Sequence, residues 1–210
     1  QGKKVLCIDC DVGLRNLDIA LGLSELGALS FTEICSGGYS LSQAAVHPVY
    51  PNLSFLTAPV NCTAASVDVD AFAKMLEEAQ ARFSYVFLDA PAGIEAGFSL
   101  AAKFAGRILL VTGADPAAVR DAGRAGELLE LMGKTNVRLI VNRIDKKMAN
   151  LLDITVDDIM DQAGLPLIGV VPEDDALLLN LNLGTPLLWA RHPPYHSASQ
   201  YSRWHAHPHT

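Results

Sequence analysis

The stretch KVLCIDCDVGLRNLD, residues 4–18, decides the fold of this chain, together with YVFLDAPAGIE at residues 85–95. Each stretch is a short apolar run that ends in an aspartate, Asp9 or Asp89, and then turns. Buried parallel strands deliver a carboxylate to the C-terminal edge of an α/β sheet in this way, and such sheets bind their ligands at that edge. The two stretches therefore predict a pair of strands with a ligand site at their carboxyl ends.

Apolar runs typical of strands recur along the chain, at residues 5–8, 53–56, 85–88, 108–111, 137–141 and 167–171. Helix-length amphipathic segments lie between most of them. One covers residues 69–82, where the apolar positions follow a period close to 3.6: Phe72, Met75, Leu76 and Ala79. Others begin at Asp115-Pro116, ending before Gly133, and after the capping box that starts at Thr155. The pattern predicts an α/β fold, a doubly wound and mostly parallel sheet with helices on both faces.

Bulk properties narrow the range of functions. Half of the 210 residues are apolar and 19% are charged, which is typical of one globular α/β domain. The net charge of −7 argues against a nucleic-acid surface. No apolar run approaches the roughly 20 residues that span a bilayer. The sequence starts without Met and enters a strand at once, so we expect no secretory signal and a start partway through a longer protein.

Two unusual features have an ordinary and a special interpretation. Cys7 and Cys10 form a C-x-x-C motif, but both lie in an apolar strand, so we expect small buried side chains in a reducing cytoplasm. A redox or metal half-site is the alternative. Residues 191–210 hold five of the six histidines and three prolines. We expect a disordered tail there, or the product of a shifted reading frame, with a metal-binding tract as the alternative.

The aspartates at the strand ends favour a magnesium–phosphate site. Asp89 precedes Pro91 and Gly93, which form a turn able to move with a γ-phosphate, and its carboxylate suits a water of the Mg²⁺ shell. Asp9 and Asp11 are two residues apart, so on a continued strand both point to the same face. A carboxylate at Asp11 is placed to orient an attacking water.

Each assignment has an alternative. Asp89 and Asp11 are also good caps for a following helix. The other acidic chemistry at strand ends is a phospho-accepting receiver site, which needs a lysine after a late strand. Here that strand is followed by Asn142-Arg143 instead.

Five segments, read in order, resemble the bacterial MinD family of the deviant Walker ATPases, which also include ParA: IDCDVGLRNLDIALGL, FLDAPAGIEAGF, VTGADPAAVRDAGR, LIVNRI and GVVPEDD. The resemblance covers about residues 2–188. It implies a P-loop NTPase fold and an ATP- and Mg²⁺-dependent homodimer that hydrolyses ATP. It further implies a cytoplasmic protein, peripheral on the inner face of the cell membrane, that recruits a septation inhibitor, responds to a topological-specificity factor and uses no nucleic acid.

The resemblance also implies roles for single residues. Asp11 resembles the first-switch aspartate that positions the hydrolytic water, beside Gly13. Asp9 and Asp89 match the acidic residues at the magnesium, Asp89 being the Walker B aspartate. The second switch and the base-side residues that match the family are Pro91, Ala92 and Gly93, and Asn142, Arg143, Pro172, Glu173 and Asp174. An asparagine amide can bond a base edge, although Asn142-Arg143 also fits an ordinary strand exit.

Two family features have no counterpart in these 210 residues: the KGGVGKT-type phosphate loop and the C-terminal amphipathic helix. We therefore expect residues 1–190 to form an N-terminally truncated MinD-like ATPase domain and this chain to be inactive. We also expect unpaired strand edges and poor solubility, because the family's strand before the phosphate loop lies in mid-sheet. The alternatives are a ParA-type partition or flagellar-number ATPase, and a non-catalytic interaction module.

Overall fold

The computed structural model describes residues 2–24, 26–145 and 155–175. It divides the chain into two compact units, whose described parts are residues 2–105 and 106–175. The tail predicted at 191–210 lies outside the described residues, and one domain over residues 1–190 stays a prediction. None of the helices in the described ranges is both long and apolar enough to cross a membrane.

The first unit contains a four-stranded sheet in the order β2-β3-β1-β4. Strands β1 (Val5–Asp9), β3 (Leu53–Leu56) and β4 (Tyr85–Asp89) are parallel, and the two-residue β2 (Ala45–Val46) pairs antiparallel with β3. The helices of this unit are α1 (Leu17–Ala20), α2 (Phe31–Cys35), α3 (Val69–Arg82) and α4 (Ala96–Phe104). Two single 3₁₀ turns lie at Leu41–Gln43 and Ala64–Ser66.

The core of the first unit forms between α3 and one face of β1. Leu6 and Ile8, two residues apart on β1, are fully buried. The four apolar positions predicted for α3 are all buried in the same cluster: Phe72, Met75, Leu76 and Ala79. Burial of each of the larger side chains, Phe72, Met75 and Leu76, stabilises the fold by about 1.5–3 kcal/mol. This core fixes β1 and thereby the point at which Asp9 and Asp11 leave the sheet.

The second unit has a three-stranded parallel sheet in the order β5-β6-β7, with β5 (Ile108–Thr112), β6 (Val137–Ile144) and β7 (Leu167–Pro172). Its described helices are α5 (Pro116–Leu131) and α6 (Val156–Ala163). Asp115 caps α5 by accepting the backbone N–H of Ala118 at 3.0 Å. Gly164 ends α6 in the left-handed conformation, with φ of 66°. The start of α5 agrees with the prediction from Asp115-Pro116.

The predicted α/β class is confirmed, and each of the six apolar runs forms a strand. The sequence analysis did not place four elements, which are β2, α1, α2 and α4. Among the described residues, the strands form two sheets, and β4 and β5 are edge strands of them. Tyr85 and Phe87 of β4 are 54% and 52% exposed. The edge of the first sheet therefore presents two aromatic side chains.

Candidate functional site

Three carboxylates meet at the C-terminal edge of the first sheet, and we call Asp9, Asp11 and Asp89 the acidic edge. Asp9 and Asp89 are direct Cα partners in the parallel pairing of β1 with β4. Asp11 follows two residues after Asp9. Partial desolvation and then the negative charges of Asp9 and Asp11 raise the pKa of Asp89. The structure thus brings together the three aspartates that the sequence singles out for metal and water.

Asp9 is fully buried, and its carboxylate is held by backbone donors. Its Oδ1 accepts the N–H of Asp11 at 2.9 Å. Its Oδ2 accepts the N–H groups of Asn16 and Leu17 at 3.1 and 3.0 Å. The donors come from both ends of residues 11–16, which we call the Asp11 loop. Three N–H groups therefore replace the water that a buried carboxylate loses.

Further contacts shape the Asp11 loop. The Nδ2 of Asn16 donates to Oδ2 of Asp11 at 3.4 Å. Gly13, with φ of 101°, donates its N–H to the carbonyl of Pro59 at 3.1 Å. This φ is one that L side chains rarely adopt, which explains a glycine at the predicted first switch. Arg15 also has a positive φ, 55°, and its Nε lies 3.0 Å from Oδ2 of the buried Asp18.

The predicted second switch, Pro91, Ala92 and Gly93, forms the loop after β4. Gly93 has φ of 85°, so this turn needs glycine. The loop packs against the first turn of α4: a Cβ at Gly97 would lie 2.6 Å from Cγ of Pro91 and 3.1 Å from the carbonyl oxygen of Cys10. The N–H of Cys10 in turn donates to the carbonyl of Asp89 at 2.9 Å. The two predicted switch segments are therefore neighbours.

The predicted base-side residues lie together in the second unit, where β6 and β7 end. Ile144 pairs with Pro172, and the N–H of Glu173 donates to the carbonyl of Ile144 at 3.1 Å. Nη2 of Arg143 lies 2.9 Å from Oε1 of Glu173, an ion pair at the protein surface. Asn142 and Asp174 flank this pair and are half-buried. The structure thus groups all five residues on one unit.

The donors at the acidic edge suit a hard cation bound through water and phosphate. Within residues 2–24, 26–145 and 155–175, no three His, Cys, Asp or Glu side chains come close enough together to hold a metal ion. Mg²⁺ in nucleotide sites usually takes only one or two carboxylates, and substrate phosphates and waters complete its shell. The exposed carboxylate of Asp89 therefore fits Mg²⁺ of a nucleotide, and the acidic edge does not form an all-protein metal cage.

The surroundings of the two cysteines beside the acidic edge raise the pKa of their thiols. Burial, followed by the charge of Asp89, raises the pKa of Cys7 to about 11. Burial and then the charges of Asp9 and Asp89 raise the pKa of Cys10 further. Thiols, not thiolates, therefore prevail at neutral pH, in agreement with the interpretation of the C-x-x-C motif as small buried side chains.

The sequence analysis missed three features of the site. Asn16 and the Arg15–Asp18 pair shape the Asp11 loop, and Gly97 admits the loop after β4. The sequence does hint at the role of Asn16. Asparagine is a favoured residue at the start of a helix, and Asn16 directly precedes α1, seven residues after Asp9. For Gly97, the signal is a glycine within the first turn of a helix, where a close approach of another segment is a common reason for it.

Comparison with known proteins identifies the family of the chain. Residues 1–187 match the family model of the CobQ/CobB/MinD/ParA nucleotide binding domain. The septum site-determining protein MinD of Synechocystis sp. is 38% identical over 189 residues, which cover 89% of this chain and 71% of that protein. In Aquifex aeolicus, the MinC:MinD complex gives a TM-score of 0.81 at 34% identity, over 90% of this chain and 77% of that one.

The free MinD structure of Aquifex aeolicus also superposes with a TM-score of 0.81, at 33% identity, and covers 92% of this chain and 80% of that one. Both the family model and the identity to a curated relative extend over nearly all of the described residues. The acidic edge and the paired ends of β6 and β7 lie within the matched range. The chain belongs to the MinD family of the CobQ/CobB/MinD/ParA nucleotide-binding domains.

Proposed function

We propose that this protein is a MinD-like ATPase of bacterial division-site selection. The observation that carries the proposal is the acidic edge, where Asp9, Asp11 and Asp89 converge at the carboxyl ends of two parallel strands. This is the edge at which α/β sheets bind ligands. The family's glycine-rich phosphate loop has no counterpart in these 210 residues. The proposal therefore assigns the water, metal and base sides of the nucleotide site to this chain.

The residues of the acidic edge divide the chemistry between them. Asp89 would hold a water of the Mg²⁺ shell, and Asp11 would accept a hydrogen bond from the attacking water and orient it. Bound Mg²⁺ supplies positive charge to the phosphate oxygens. Gly13 and the segment Pro91, Ala92 and Gly93 change conformation with the nucleotide state. The two segments move together, because Gly97 lies close both to Pro91 and to the carbonyl oxygen of Cys10.

The base-side residues of the second unit recognise adenine. The amide of Asn142 has both a donor and an acceptor for a base edge. The ion pair of Arg143 with Glu173 lies at the ends of β6 and β7, where Ile144 pairs with Pro172. Because the pair is exposed, it contributes little to stability, about 0–1 kcal/mol. Its position at the strand ends suits a loop that closes over a base.

ATP-dependent homodimerisation is the next part of the proposal. Three loops follow the parallel strands of the first sheet, and each carries an exposed apolar side chain: Leu14 is 74%, Val60 56% and Ile94 37% exposed. The N–H of Gly13 joins two of these loops through the carbonyl of Pro59. Apolar side chains around a charged site favour a protein partner at this face, and a second copy is the partner we propose.

The partners follow from the relatives. The Aquifex relative is found in complex with MinC. For this protein we propose a septation inhibitor and a topological-specificity factor of the Min type as partners, and a location in the cytoplasm, peripheral on the inner face of the membrane. Sedimentation of the product of the complete gene with anionic vesicles tests the last point, since binding that needs ATP is expected of it and binding that ignores ATP would contradict the proposal.

The decisive experiment replaces Asp11 in the gene at its own genomic position. We expect Asp11→Ala to displace septa from mid-cell toward the poles, scored by fluorescence microscopy of the division ring. Glu77→Ala is the matched control, because Glu77 is an exposed carboxylate in the C-terminal half of α3. Normal septum placement with Asp11→Ala would overturn the proposal. A loss of plasmids or a change in flagellar number, with normal septa, would favour the partition or flagellar alternatives.

A further inference from the structure

Backbone N–H groups occupy most of the hydrogen-bond acceptor positions of the Asp9 carboxylate. An ionised carboxylate has about four lone-pair positions, two on each oxygen. Oδ2 accepts two backbone N–H groups, from Asn16 and Leu17, and Oδ1 accepts one, from Asp11. The side chain is also fully buried. This arrangement leaves little capacity for a metal ion at Asp9.

The same three bonds close the Asp11 loop. Asp11 is the first residue of the loop and Asn16 the last, and both donate their N–H to the one carboxylate. Within the loop, the N–H groups of Leu14 and Arg15 donate to the carbonyl of Asp11 at 3.2 Å. The Asp9 carboxylate therefore holds the first and the last residue of the Asp11 loop close to each other.

Asn16 passes this constraint on to Asp11. Its backbone N–H is bound by Asp9, and its side-chain Nδ2 donates to Oδ2 of Asp11 at 3.4 Å. A path of hydrogen bonds therefore runs from the Asp9 carboxylate through Asn16 to the Asp11 carboxylate.

We propose that Asp9 is a positioning residue for Asp11, not a magnesium ligand. Asp9 gathers the N–H groups of Asp11, Asn16 and Leu17, and Asn16 then holds the Asp11 side chain in one rotamer at the acidic edge. The consequence for water orientation rests on the proposed function. The positioning itself does not, because it needs neither nucleotide nor metal.

The test uses the ¹⁵N- and ¹³C-labelled chain without nucleotide or Mg²⁺. Asp9→Asn keeps the shape of the side chain but replaces one acceptor oxygen by an NH₂ donor. We expect at least one of the amides of Asp11, Asn16 and Leu17 to exchange its hydrogen about tenfold faster or more. We also expect the three-bond couplings that report χ1 of Asp11 to change from one rotamer to an average. Unchanged exchange at all three amides would overturn the proposal.

Asp89→Asn is the matched control, since it removes a neighbouring charge of the same edge. It should leave the three amides and the Asp11 rotamer as they are, and an effect as large as that of Asp9→Asn would mean that charge, not positioning, is responsible. If Asp9→Asn fails to fold, Asn16→Ala tests the second step. There the Leu17 amide should stay protected while the Asp11 rotamer averages, and a single retained rotamer would refute the role of Asn16. Amide exchange and the Asp11 couplings are measured without nucleotide. They therefore test the positioning of Asp11 even if the protein does not hydrolyse ATP.

Discussion

Asp9 and Asp89 stand opposite each other at the ends of β1 and β4, yet their surroundings differ completely. Asp9 is buried and holds three backbone N–H groups, whereas Asp89 lies at the surface with two other carboxylates nearby. The like charges that Asp9 and Asp11 bring to the edge act on Asp89 and raise its pKa. An edge that carries an excess of negative charge is well suited to a cation-bound ligand.

Removing the charge of Asp89 should stabilise the protein near neutral pH. Since the pKa of Asp89 is higher in the folded than in the unfolded chain, the folded state is favoured while the group is protonated. That contribution is complete below the ordinary aspartate pKa of about 3.9 and is lost as the pH rises through the raised pKa. Asp89→Asn should therefore melt at a higher temperature than wild type at pH 7, with a difference that vanishes in acid. A lower melting temperature at pH 7 would contradict this, and Glu77→Gln, which removes an exposed charge from α3 outside its first turn, provides the control.

Gly97→Ala should destabilise the first unit. The new Cβ would lie 2.6 Å from Cγ of Pro91, a ring atom that cannot rotate away, so the loop after β4 must shift. We expect a loss of about 1–3 kcal/mol in the free energy of unfolding, measured in urea. Gly27→Ala is the control, because a Cβ added at Gly27 would meet no atom within 4 Å and the φ of Gly27 is not positive. Equal stability of the two variants would contradict the packing argument.

Phe87→Lys should improve solubility. Phe87 is 52% exposed and lies on β4, an edge strand among the described residues, and a charged side chain on an edge strand opposes edge-to-edge pairing. Light scattering at rising protein concentration measures the effect. Leu131→Lys is the control, since Leu131 is 86% exposed but lies at the end of helix α5. The same gain from both variants would attribute the effect to the loss of an exposed apolar side chain and not to the edge strand.

Cys7 and Cys10 should resist alkylation in the folded protein. With the pKa of Cys7 raised to about 11, about one molecule in a thousand carries the thiolate at pH 8. Mass spectrometry after treatment with iodoacetamide at pH 8 should find both residues unmodified in the native state and modified in urea. Rapid modification of Cys7 in the native protein would show that its strand opens readily.

The 210-residue chain alone should bind Mg·ATP very weakly. Lysines and backbone N–H groups of a glycine-rich loop supply most phosphate contacts in such sites, and no loop of that kind occurs in this sequence. Calorimetric titration is the measurement. Micromolar affinity would mean that other residues of the chain bind the phosphates.

The sequence predicted those parts of the structure that depend on local pattern. The helix α3 could be placed from the 3.6 period of Phe72, Met75, Leu76 and Ala79, and α5 from the cap Asp115-Pro116. The convergence of Asp9, Asp11 and Asp89 followed from parallel pairing. By contrast, β2 has two residues and α2 has five, so neither is long enough to show a period.

The finer arrangement of the site could not be predicted, because it depends on how segments distant along the chain pack together. Nothing local to Gly97 indicates that its α-carbon lies against Pro91 and the carbonyl of Cys10. Likewise, the capture of the Asn16 and Leu17 amides by Asp9 requires the chain to turn back over the end of β1. The sequence located Asp9 correctly at the edge of the sheet but not its hydrogen-bond partners.

The bonds that Asp9 makes to both ends of the Asp11 loop also limit how this segment can vary. Leu14, near its middle, is 74% exposed, so its identity is free to change with the surface that meets it. The number of residues is not free, because one residue more or fewer would carry Asn16 out of reach of the carboxylate. Homologous chains that keep this anchor should accept substitutions at the tip but neither insertions nor deletions.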